Sequence, residues 1–124
     1  MPLLTEATAD TLVSLCRTAL GDHLRSVTYF TKDDYEQIYL RDDLEQDADL
    51  TTFIGNEWHG FQVTRESYQD TELGEYRYTI RVFENGYLVR YTSDHDGVFL
   101  TSDGLTTRRF NEIEAALEDV FTDR

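Results

Sequence analysis

The stretch Tyr76-Arg77-Tyr78-Thr79-Ile80-Arg81-Val82-Phe83-Glu84-Asn85-Gly86-Tyr87-Leu88-Val89-Arg90-Tyr91-Thr92 decides the fold. Tyr76, Tyr78, Ile80 and Val82 alternate with Arg77, Thr79, Arg81 and Phe83, the period of a half-buried strand. Asn85-Gly86 is the preferred pair for a two-residue type I′ hairpin turn. That turn predicts a register in which Phe83 faces Leu88, Val82 faces Val89, Arg81 faces Arg90 and Ile80 faces Tyr91. Tyr78, Ile80, Val82, Val89 and Tyr91 then share one face, and Arg77, Arg81 and Arg90 share the other.

Downstream, Ser93-Asp94-His95-Asp96-Gly97 reads as a second turn, followed by a short strand over 98–101. Thr106 or Thr107 is placed to cap a last helix with Phe110, Ile113, Leu117, Val120 and Phe121 on its buried side. Upstream, residues 67–74 read as a polar loop. Leu50, Phe53, Ile54, Trp58 and Phe61 recur at helical spacing, which predicts a helix over about 43–66 with a break or kink at Gly55 or Gly60. Before it, residues 24–31 and 35–40 are β-branched and aromatic around a Lys32-Asp33-Asp34 turn and form a hairpin. The chain opens on a helix capped by Thr5 or Thr8, with Leu12, Leu15, Cys16, Ala19 and Leu20 on one stripe and Gly21 ending it in a left-handed conformation. The expected class is α+β: a five-stranded antiparallel sheet with three helices, in the order α-β-β-α-β-β-β-α, as one domain over 1–124.

Composition narrows the functional classes. Twenty-five acidic residues face eleven basic ones, a formal net charge of −14. Lys32 is the only lysine. Such a surface suits molar salt, where the Debye length shrinks to about 3 Å and carboxylate repulsion is screened. The same charge argues against nonspecific nucleic-acid binding, which depends on neutralising phosphates. No apolar run approaches the roughly 18 residues of a membrane span. The first residues carry no basic, apolar leader. Cys16 is the only cysteine, which excludes an internal disulfide and fits a reducing, cytoplasmic setting; its place on the stripe makes it a core residue.

Like charges facing each other across a strand pair repel, so Arg81 and Arg90 call for acidic cover. The second helix, with Asp43, Glu45, Asp47, Asp49 and Glu57, is the candidate, through arginine–carboxylate pairing. Otherwise Arg77, Arg81 and Arg90 form an anion site or a subunit interface. Asp94, His95 and Asp96 are weak candidates for a metal, because Asp and Gly are also what a turn requires for its backbone. The acid run 42–50 lacks the EF-hand glycine and the closing glutamate, having Ala48 and Ile54 there. Neither a nucleophile elbow nor a glycine-rich phosphate loop is present. No catalytic residue and no cofactor is expected.

The lysine-poor acidic chain, the arginine-bearing hairpin 76–92 and the capped last helix resemble a family of small haloarchaeal proteins of unassigned function. That resemblance covers most of the chain and carries over no catalytic residue. The order of elements is similar to the roadblock/dynein light chain group of profilin-like folds. This likeness implies a dimerising scaffold that acts through protein contacts. The leading expectation is therefore a non-enzymatic interaction module, a homodimer with an unknown protein partner. A small-ligand or anion sensor with a pocket of Tyr76, Tyr78, Tyr87, Tyr91 and Trp58 is the first alternative, and a metal-binding regulator the second.

Overall fold

Five strands pair in the order β2-β1-β5-β4-β3, every neighbour antiparallel. They are β1 (Leu24–Thr31), β2 (Tyr35–Leu40), β3 (Tyr78–Phe83), β4 (Gly86–Thr92) and β5 (Asp96–Ser102), with helices α1 (Glu6–Leu20), α2 (Leu50–Ser67) and α3 (Thr107–Thr122) between and around them. This computed structural model describes residues 4–43, 50–103 and 107–122, without the side chains of 50–54 and 107–110. The proposed cap Thr106, the buried position of Phe110 and the acids Glu45, Asp47 and Asp49 lie outside the described residues.

Alternation along the strands sends side chains to two different cores. On one face Val27, Tyr29, Val89, Tyr91, Val98 and Leu100 join Leu12, Cys16 and Leu20 of α1 and Ile113 and Leu117 of α3. Thr5 caps α1 by accepting the Thr8 backbone N–H at 3.2 Å, and Gly21 closes it with φ +57°. Cys16 sits fully inside this core, and burial pushes its thiol up to about 12. On the opposite face Phe30, Leu88 and Phe99 pack with Trp58 of α2. The rings run on from Phe30 to Trp58 at 6.3 Å, to Phe61 at 5.9 Å and to Tyr76 at 6.2 Å.

Three local readings need correction. The second helix, described from Leu50, runs unbroken through Gly55 and Gly60; Asp43 is in a turn, and residues 44–49, where the expected start falls, lie outside the described residues. The fifth strand is longer than expected and takes in Asp96 and Gly97. The β3–β4 register differs by two residues: Phe83 pairs with Gly86, Arg81 with Leu88, and Thr79 with Arg90. A slip of two preserves the faces, but Arg81 and Arg90 become diagonal neighbours rather than an opposed pair. The turn is Glu84-Asn85, and Gly86 is already a paired residue of β4. A Cβ at Gly86 would lie 2.4 Å from the Ser102 carbonyl oxygen, so glycine is needed there for β4 to approach β5. Gly86 is not among the residues with positive φ, so it serves spacing rather than a type I′ turn.

Candidate functional site

The two arginines on the α2 side of the hairpin converge on one carboxylate. Glu57, 3% exposed, is presented by the inner face of α2. Arg81 donates from Nε to Glu57 Oε1 at 2.7 Å. Arg90, 1% exposed, donates from Nη1 to the Glu57 carbonyl oxygen at 2.7 Å and lies 3.6 Å from Glu57 Oε2. Its other terminal nitrogen, Nη2, donates to Tyr76 Oη at 2.6 Å and to Thr79 Oγ1 at 2.8 Å, and the Tyr76 and Thr79 hydroxyls bond each other. The Arg90 guanidinium thus donates to a carbonyl and two hydroxyls and pairs with the carboxylate at 3.6 Å. Arg90 Nε and Glu57 Oε2 have no hydrogen-bond partner among the described residues. Gly60 permits this approach of the arginines, because a Cβ there would meet Arg90 Nη1 at 3.0 Å and Arg81 Nη2 at 3.3 Å.

Arg77 does not share this face. The strand begins one residue later, so the alternation does not extend back to it. Its guanidinium instead reaches α3, donating from Nε to Glu114 Oε1 at 2.9 Å, and that hydrogen bond pushes the Arg77 pKa above its usual range. The tyrosines are divided too. Tyr78 and Tyr91 stack at 5.2 Å in the α1–α3 core, and burial pushes the Tyr91 phenol up. Tyr87 packs on that side as well, whereas Tyr76 and Trp58 are on the other. The sheet separates the residues expected to line one pocket.

The weak metal candidates also diverge. Asp96 is buried, accepting from Tyr29 Oη at 2.6 Å and from Ser93 Oγ at 2.6 Å. Asp94 turns outward to Arg65 at 2.5 Å, and His95 is exposed. No group of three metal-ligating side chains is assembled among the described residues. Near the other end of the sheet, Arg25 and Arg41 bind Asp103 at 3.0 and 2.7 Å, and Arg41 also holds Asp43 at 2.6 Å. Hydrogen bonds from Arg41 keep both carboxyls below the usual range. This four-residue cluster escapes sequence reading because its members are distributed over β1 and the segments after β2 and β5.

An open cleft of about 720 Å³ lies beyond the network, between the C-terminal end of α2, the loop 68–77 and the β4–β5 turn. Phe61, Tyr68 and Tyr76 supply rings to its wall, and Arg65, Asp70, Glu75 and Asp94 supply charge.

One sheet with helices on both faces and this order of strands defines the roadblock-like, profilin-like class. Myxococcus xanthus MglB has the same fold, with a TM-score of 0.69 at 11% identity over 96% of this chain and 98% of that one. The gliding protein MglB from Thermus thermophilus gives 0.65 at 12% identity, covering 98% and 96%. A third structure, described as MglB with tetrameric arrangement, gives 0.62 at 10% identity, covering 94% and 87%. At such identities the likeness is one of fold. The chain belongs to the family described as domain of unknown function DUF7522, whose model matches residues 10–122. No curated protein matches its sequence.

Proposed function

We propose that this chain is a single-domain protein-interaction module without catalysis of its own, acting as a homodimer in the cytoplasm of a halophilic archaeon. The observation that carries the reading is the free edge of the sheet at β3. Its last three residues, Arg81, Val82 and Phe83, are all exposed, Val82 at 72% and Phe83 at 59%. An edge strand with large apolar side chains in water is a template for pairing with another chain. On the α2 side, Arg81 and Phe83 lie on the same strand face, and the exposed Val63 continues the helix flank marked by Gly60. A self-complementary edge of this kind suits a two-fold dimer, in which the same patch meets itself. The MglB described as tetrameric lends support from a protein of the same fold. Of the three arginines proposed for an interface, Arg81 belongs to this patch, Arg90 supports it from beneath, and Arg77 lies on the other face.

The halophilic setting rests on the single lysine, the charge of −14 and the use made of arginine. Arg25, Arg41, Arg65, Arg77, Arg81 and Arg90 all form ion pairs within the chain. Light scattering in multi-molar potassium chloride is expected to give twice the 14.5 kDa chain mass. The double substitution Val82→Asp with Phe83→Asp should weaken association about a hundredfold or more while leaving the circular dichroism unchanged. A monomeric wild-type chain would overturn the dimer reading. Full retention of the fold after dialysis into dilute buffer would overturn the halophilic one.

A further inference from the structure

We infer that the cleft at the end of α2 binds a small organic cation, a guanidinium or alkylammonium group, a function separate from the proposed dimer edge. Three observations converge on this chemistry.

The first is the wall. Phe61 is buried, and Tyr76 stands 6.2 Å from it, ring to ring. The Tyr76 hydroxyl is fixed by Arg90 at 2.6 Å, so this ring is held from behind by the buried network. Tyr68 adds a third, exposed ring. Ring faces carry the negative part of the aromatic quadrupole and attract cations.

The second is charge. Asp70, Glu75 and Asp94 line the cleft against one cation, Arg65. Arg65 is engaged with Asp94 at 2.5 Å, while among the described residues no cation pairs with Asp70 or Glu75. The field of a chain with net charge −14 concentrates cations at such a site and repels anions.

The third is that the molecule already performs the recognition once. The Arg65 guanidinium lies 5.7 Å from the Phe61 ring centroid while its nitrogen holds Asp94, a ring and a carboxylate taking one cation together. Tyr68, Asp70, Glu75 and Tyr76 line the same cleft, so further rings and carboxylates stand there for a cation from outside. The loop that carries them is shaped in advance: Asp70 has φ +58°, Gly74 has φ +89°, and the Gly74 N–H bonds the Thr71 carbonyl at 3.1 Å. A volume of about 720 Å³ is in the range of small-ligand clefts.

The test is calorimetric titration of the full chain, in the lowest potassium chloride at which it stays folded, with three probes. These are Nα-acetylargininamide, its uncharged isostere Nα-acetylcitrullinamide, and an N-acetylated short peptide with one central arginine. Saturable one-to-one binding of the argininamide or of the peptide, with none for the citrullinamide, is the expected result. The tighter of the two binders tells whether the cation arrives free or on a partner's side chain. Asp70→Asn with Glu75→Gln should weaken binding about tenfold or more, as should Tyr68→Ala. Absence of saturable heat from both cationic probes at millimolar concentration, or equal binding of the citrullinamide, would overturn the assignment. So would undiminished binding by the Asp70→Asn, Glu75→Gln variant. None of these substitutions touches the β3 edge, so dimerisation and cation binding can fail independently.

Discussion

Glu57 is the residue on which the α2 side of the molecule depends. It is buried with Arg90, and removal of one partner leaves the other charge in a low-dielectric interior without its counter-ion. Glu57→Ala is expected to cost about 3–5 kcal/mol in chemical denaturation, the range for a broken buried pair. A loss below about 1 kcal/mol, the level of an exposed pair, would show that Arg90 is satisfied without the carboxylate. Replacing Glu57 and Arg90 together by apolar residues of similar volume should cost much less than the single change, because neither charge is then stranded. The sequence contains the premise of this site. Arginines alternating on one strand face demand an acid, and Glu57 is among the acids that the second helix offers. Which acid answers, and at what depth, depends on how the helix sits over the sheet, and no local pattern encodes that. Arg77 falls on the wrong face in the sequence reading for a related reason. Alternation is a property of the strand alone, and the strand ends one residue short of it.

Among the elements, the strands and helices are legible because each carries its own period. Register and helix continuity are not, because glycine has more than one use. Asn85-Gly86 looks like a turn, yet Gly86 is fixed by the carbonyl of Ser102, sixteen residues further on and invisible to any short window. Gly60 looks like a weak point in a helix, yet it is the gap through which two guanidinium groups reach the helix. Gly55 has open space around it. The two helical glycines should therefore respond differently to the same substitution. Gly55→Ala should raise stability by about 0.5–1 kcal/mol, the usual helical gain. Gly60→Ala should forfeit that gain and destabilise, since the nearest atom, Arg90 Nη1, is already committed to the Glu57 carbonyl. Thermal melts of the two variants side by side decide the matter, and equal gains would show that the arginines yield without cost.

In the whole molecule, the sheet is assembled from two runs of neighbouring strands. β1 with β2, and β3 with β4 and β5, each close over short connections, but β1 meets β5 only after residues 32–95 have been made. Closure over so long a span costs chain entropy before contacts reward it. The β1–β5 seam should therefore form late in folding. In stopped-flow kinetics, Val27→Ala and Leu100→Ala, a pair across the seam, should mainly accelerate unfolding. Ile80→Ala, inside the β3–β4 hairpin, should mainly slow folding, and the opposite pattern would place the nucleus at the seam. The core behind the seam has a further consequence for a chain emerging from a ribosome. Ile113 and Leu117 of α3 share one cluster with Leu24 and Val27 of β1 and with Val98 and Leu100 of β5. The helix that covers the last-formed strand pair is translated after every strand. Until it emerges, the nascent sheet keeps part of its apolar face uncovered.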